Sequence, residues 1–138
     1  MRIVLDTNVL ISALIKKGKP RNLFDQAIVG EIQLVLSEPI LEEFIKVAKK
    51  KKFRPYFRNS EAVNFIALLE RVSEFVQVRS KVDITRDKSD NMVLATALDG
   101  NAKYVVSGDE DLLAVREFKG IKVLTVDQML KILRRKVK

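Results

Sequence analysis

Ile3-Val4-Leu5-Asp6-Thr7-Asn8 decides the fold. Three apolar residues give a short buried-strand signal, and an acid closes it at once. Helical patterning follows from Thr7 to about Lys16, until Gly18-Lys19-Pro20 breaks it. The same alternation continues outward. Asn22 to Gly30 reads as a helix, Ile32 to Leu36 as strand two, and Ser37 to about Lys50 as a helix with Pro39 in its first turn. Phe53 to Arg58 reads as a turn around Pro55, Ser60 to about Val72 as a helix capped by Ser60, and Phe75 to Val78 as strand three. A helix from Ser89 to about Gly100 precedes strand four, Tyr104-Val105-Val106. Asp109 to Arg116 is a short helix, Ile121 to Leu124 strand five, and Asp127 opens a last helix that ends in a basic tail at about 131–138. Strands separated by helices imply right-handed βαβ units. The expected architecture is α/β, a three-layer α/β/α stack around a mostly parallel five-stranded sheet. One domain spans 1–138, with no Ser/Gly-rich linker and no internal repeat.

Composition narrows the chemistry. The 138 residues contain no Cys and no His. Disulfides, thiolate nucleophiles and Cys-based zinc sites are therefore excluded, as is any Ser-His-Asp arrangement. A bound metal must be held mainly by oxygen, which points to Mg²⁺ or Mn²⁺. The 26 Lys+Arg against 18 Asp+Glu leave a net charge of +8, and the pI is near 9.8. Such a balance favours an anionic partner, nucleic acid before a membrane surface. No apolar run reaches the roughly 18 residues of a membrane span. Asp6 interrupts the N-terminal apolar run too early for a signal peptide, so a cytoplasmic location is expected. Neither G-x-G-x-x-G nor G-x-x-x-x-G-K-[ST] occurs, which removes the main support for nucleotide binding.

In a parallel sheet, sites form at the carboxyl ends of the strands, so the acids that follow strands carry most weight. Asp6 can cap the next helix or face the crevice, and the two roles are compatible. On the third helix, Ile40, Leu41, Phe44, Ile45 and Ala48 share an apolar face, with Glu42 on the opposite side beside its i,i+4 partner Lys46. Glu43 lies at the edge of that face, where it is either a surface charge or a side chain reaching a cleft. Asp90 lines up with Val93, Leu94, Ala97 and Leu98, one turn before the buried face begins. A carboxylate there needs a cation or hydrogen-bond donors. Helix capping is the alternative role for Asp90 and the favoured one for Asp87. Asp109 and Asp111 follow strand four, where Gly108 allows a tight turn and Asp109 can cap the short helix. Carboxylates gathered in one cleft repel one another unless a divalent cation joins them. Such an ion, with its water, can serve phosphodiester hydrolysis without histidine.

Four segments then fall in a telling order: Leu5-Asp6-Thr7-Asn8-Val9, Ser37 through Glu43-Phe44, Asp87-Lys88-Ser89-Asp90-Asn91, and Val106-Ser107-Gly108-Asp109-Glu110-Asp111-Leu112-Leu113. At these spacings the chain resembles PIN-domain nucleases, most of all the prokaryotic VapC-type toxins of toxin–antitoxin systems. The resemblance covers nearly the whole chain. It implies strand order 3-2-1-4-5, Mg²⁺- or Mn²⁺-dependent cleavage of RNA, a homodimer and a partner antitoxin. It maps the catalytic, metal-binding acids onto Asp6, Glu43, Asp90 and Asp109, with Asp111 as an outer acid and Asn8 and Ser107 as polar helpers. The branch often carries Pro or Asp in the stretch before the third acid. Here that stretch is Asp87-Lys88-Ser89, which leaves the role of Asp87 open.

Lys46, Lys49, Lys50, Lys51, Lys52, Arg54 and Arg58 form an acid-free run interleaved with Phe53, Tyr56 and Phe57. Lys49 to Lys52 and Arg54 are the candidate RNA contacts, with rings available for base stacking. The alternative is a solvated helix end with its rings in the core. Lys131, Arg134, Arg135, Lys136 and Lys138 form a second basic cluster. The competing function is a non-catalytic nucleic-acid-binding module that retains the fold. A phosphatase lacks support because strand one ends in Asp-Thr-Asn rather than Asp-x-Asp, and a receiver domain because its preceding acidic pair is missing.

Overall fold

The computed structural model describes residues 1–136. The central sheet is built from β1 (Arg2–Leu5), β2 (Gln33–Leu36), β3 (Ser73–Phe75), β4 (Tyr104–Val106), β5 (Glu117–Phe118) and β6 (Ile121–Leu124), in the order β3-β2-β1-β4-β6-β5. All neighbours pair in parallel except β5 with β6. Five parallel strands thus keep the expected 3-2-1-4-5 order. The sixth corrects the expected count. Glu117-Phe118 is too short for a strand pattern to register, and it folds back through Lys119 and Gly120, both at positive φ (48° and 84°). Two such residues close a two-residue hairpin whose twist suits the strands.

The helices are α1 (Thr7–Ile15), α2 (Lys19–Ile28), α3 (Glu38–Ala48), α4 (Asn59–Val72), α5 (Lys88–Asp99), α6 (Glu110–Leu113) and α7 (Val126–Lys136), with a 3₁₀ turn at Lys51–Tyr56. Several boundaries differ from expectation. Pro20 sits in the first turn of α2, where its missing N–H is harmless, so the helix starts three residues before Asn22. Ser60 does not cap α4: the helix begins at Asn59, and the Glu61 carboxylate accepts from the Arg58 N–H at 2.9 Å. The third strand lies two residues earlier than its apolar signal. Lys131, Arg134 and Arg135 belong to α7 rather than to a loose tail, while Lys138 lies outside the described residues.

Ile3, Val4, Leu34, Val35, Val105 and Val106 are buried in the sheet's centre. Leu10, Leu14, Leu23, Phe24, Phe44 and Leu94 cover it from the helices. Gly100 ends α5 against β2, where backbone approaches side chain closely. A Cβ there would run into Val35 Cγ1 and lie 3.0 Å from the Thr96 carbonyl oxygen. Gly100→Ala is therefore expected to destabilise the fold by about 1–3 kcal/mol, seen as a lower urea midpoint at unchanged slope.

Candidate active site

The site lies at the carboxyl ends of β1 and β4, the two central strands. Asp6 leaves β1 with its N–H on the Val106 carbonyl at 2.9 Å, so β4 fixes its backbone. Its side chain is buried, and Oδ1 accepts from the Thr7 N–H at 2.7 Å. Oδ2 accepts from Ser107 Oγ at 2.8 Å. Asp6 thus caps α1 with one oxygen while the other is held by Ser107. Ser107 Oγ also accepts from the Asp109 N–H at 2.9 Å, so this fully buried hydroxyl ties the two acids together. That bond, rather than glycine geometry, closes the turn, since Gly108 does not adopt a positive φ. Asp109 caps α6 through the Asp111 N–H at 2.9 Å, and Asp111 itself is exposed.

Asp90 occupies the first turn of α5 and is only 3% exposed. Its Oδ2 is buried without a hydrogen-bond partner. Asp87 caps the same helix, accepting from the Ser89 N–H at 2.7 Å. One carboxylate oxygen from each of Asp87, Asp90 and Asp109 lies within 4.8 Å of the others. The sequence favoured a cap for Asp87 and left any further role open. The i,i+3 spacing with Asp90 was the signal for more.

Burial pushes the Asp90 carboxyl up to about 7, reinforced by the charges of Asp109, Asp87 and Asp6. Burial also raises Asp6, against the lowering effect of its Ser107 and Thr7 hydrogen bonds. A cluster of this kind either retains a proton or takes a cation. The donor set fits a hard divalent cation: oxygen only, with one buried oxygen unpartnered and with Asp87 exposed to admit a hydrated ion.

Glu43 is half-buried on α3, and of the four expected metal-binding acids both it and Asp6 lie outside the three-acid set. It lines a pocket of about 170 Å³ with Thr7, Lys88, Ser89 and Val93, next to the start of α5. Ser37 Oγ and Thr96 Oγ1, 2.8 Å apart and both buried, pin the start of α3 to α5. Asn8 is exposed on α1. Lys49, Lys50, Lys51, Lys52 and Arg54 are all exposed, with Lys49 about 9 Å beyond Glu43 along α3 at 1.5 Å per residue. Of the interleaved rings, Phe53 and Phe57 pack half-buried against the core, while Tyr56 is 59% exposed.

The family model for the PIN domain matches residues 2–111. The chain is 29% identical over 119 residues to the uncharacterized protein MJ1680 of Methanocaldococcus jannaschii, covering 85% of this chain and 76% of that one. Its structure is similar to VapBC2 from Rickettsia felis, solved with a DNA fragment from their promoter, at TM-score 0.61 and 18% identity, over 91% of this chain and 98% of that one. PAE2754 from Pyrobaculum aerophilum gives TM-score 0.64 and 15% identity, over 98% and 90%. At such identities the two structures bear on the fold alone, which they share over nine-tenths or more of each chain. With acids after β1 and β4 and at the start of α5, and with a family match that takes in all of them, the chain belongs to the PIN domain family.

Proposed function

We propose that this protein is a metal-dependent endoribonuclease and the toxin of a toxin–antitoxin pair. The carrying observation is the Asp87–Asp90–Asp109 cluster with its buried, unpartnered Asp90 oxygen. PIN domains are generally nucleases, which supports the reaction class. The VapBC2 neighbour supports an antitoxin partner.

Asp6, Asp90 and Asp109 would hold Mg²⁺ or Mn²⁺, directly or through water. When bound, the ion lowers the pKa of water and offsets charge on the non-bridging phosphate oxygens. Ser107 orients Asp6 and Asp109 through its two hydrogen bonds. Glu43 completes the pocket and polarises the attacking water. Water attacks phosphorus in line, the bond from phosphorus to the 3′ oxygen breaks, and that oxygen takes up a proton. The products carry 5′-phosphate and 3′-hydroxyl ends. Lys49 to Lys52 and Arg54 track the RNA backbone, and Asn8 and Asp111 support the site from its exposed rim. A homodimer is part of this reading, and a solution mass of two chains is its expected outcome. Among the described residues no helix is long and apolar enough to cross a membrane.

The test is cleavage of end-labelled single-stranded and structured RNAs with Mn²⁺, Mg²⁺ or EDTA, alongside Asp6→Asn and Asp90→Asn. Cleavage is expected with either ion, and neither EDTA samples nor the variants should show any. Equal cleavage by the variants would sink the assignment, as would 2′,3′-cyclic phosphate ends. RNA binding by folded wild type without cleavage would leave the non-catalytic binding module.

A further inference from the structure

The segment between β3 and α5, residues 76–87, contains no regular secondary structure, yet it is held at two points. Near its start the Asp99 carboxylate accepts from the Arg79 and Ser80 N–H groups, at 2.6 and 2.8 Å, and from the Ser80 hydroxyl. Near its end a single side chain does most of the work. Asn91 Oδ1 accepts from the Ile84 N–H at 3.2 Å, the Thr85 N–H at 2.9 Å and Thr85 Oγ1 at 3.0 Å. Asn91 Nδ2 donates to the Thr85 carbonyl at 3.0 Å. Thr85 Oγ1 also lies 2.9 Å from the Asp87 carbonyl, so its one proton is shared between that oxygen and Asn91 Oδ1. Asn91 itself is 9% exposed, so its amide makes these bonds from the protein side of a half-exposed loop. An amide that uses both its acceptor and its donor on one short stretch fixes that stretch in place.

What this clamp delivers is Asp87. A carboxylate serving only as a helix cap needs no neighbours of its own sign. Asp87 instead has a carboxylate oxygen within 4.8 Å of one from Asp90 and one from Asp109, and Asp90 carries a buried oxygen that no donor satisfies. We propose that Asp87 is a further ligand for the divalent cation and that Asn91 is the positioning residue that brings it there. This rests on the cation reading above and extends its ligand set.

The test is calorimetric titration of the EDTA-treated, dialysed protein with Mn²⁺ alone, so no cleavage is needed. Asp87→Asn keeps the cap, because Asn caps as well as Asp, and removes only the charge. It is expected to bind Mn²⁺ about 10-fold more weakly or worse. Asn91→Ala should lose about 10- to 100-fold, the usual scale for a group that orients a ligand. In the Asp87→Asn background, Asn91→Ala should cost little more, because the two act through one carboxylate. Thr85→Val loosens the same clamp from the loop side, and should also weaken binding only while Asp87 is present, which covers an Asn91→Ala that does not fold. Wild-type affinity in Asp87→Asn, with binding lost in Asp90→Asn, would overturn the role of Asp87. Equal losses from Asn91→Ala in both backgrounds would overturn the positioning role. No binding by wild type, or full affinity in Asp90→Asn, would instead remove the cation reading itself.

Discussion

Asp90→Asn is expected to make the metal-free protein more stable than wild type at pH 8, by about 2–4 kcal/mol, because its acidic neighbours share the shift and solvent screens part of it. The folded carboxyl titrates at about 7 against 3.8 for the ordinary group. Each unit corresponds to about 1.4 kcal/mol. Because the folded value is raised, the native state binds more protons than the unfolded state between these two values. Stability contributed by the protonated group is full below about pH 4, is lost as pH rises toward 7, and levels off above it. Asp6 is raised as well and pulls in the same direction. Asparagine carries no charge at any pH, so the variant lacks the Asp90 part of this slope. Urea unfolding in EDTA at pH 4.5, 6 and 8 measures it: the wild-type midpoint should fall across the series, the variant midpoint much less. Mn²⁺ at 100 times its dissociation constant should then return about 2.7 kcal/mol to wild type at pH 8 and little to the variant. Parallel pH profiles would mean that Asp90 is not a buried ionisable group. A variant less stable at pH 8 would mean that its charge is already satisfied by protein donors.

The acids that sequence alone located are those governed by local rules. Asp6 directly follows β1, Asp109 comes three residues after β4 ends, and Asp90 precedes an apolar helical face, so position along the chain was enough to single them out. The parallel order followed from the alternation of strands and helices, completed by the family resemblance. What sequence could not supply depends on contacts between distant residues. Asp87 joins the cluster because Asn91 and Asp99 fasten the preceding loop, and none of those bonds leaves a periodic trace. Glu43 could be placed at the edge of an apolar face. Its position beside the start of α5 comes from packing of α3 on α5, to which the Ser37–Thr96 hydroxyl contact, 59 residues apart in the chain, adds a fixed point. The β5 strand was invisible because two residues make no alternation. The aromatic rings of the basic segment divide in a way composition cannot predict, with Phe53 and Phe57 against the core and Tyr56 outside.

Replacing Lys49, Lys50, Lys51, Lys52 and Arg54 with Gln is expected to weaken RNA binding by about 100-fold at 0.1 M salt while leaving the fold intact. All five side chains are exposed, so little packing is lost. The fold effect should stay near the few tenths of a kcal/mol that cations give at a helix end. The binding effect is larger because each phosphate contact releases counterions. For single strands the affinity falls with salt at a log–log slope of about −0.7 per contact. Three contacts among the five cations give a slope of about −2, hence about two decades at 0.1 M, shrinking toward 1 M. Titrating labelled RNA across a salt series in the Asp90→Asn background keeps the substrate whole and isolates this term. In the otherwise wild-type enzyme the same substitutions should raise KM and leave kcat nearly unchanged, because these residues hold ground state and transition state alike. A lower kcat at unchanged KM would place the segment in the chemistry itself. An unchanged salt slope would reduce it to the solvated end of α3, and RNA would then have to reach the acids along another face.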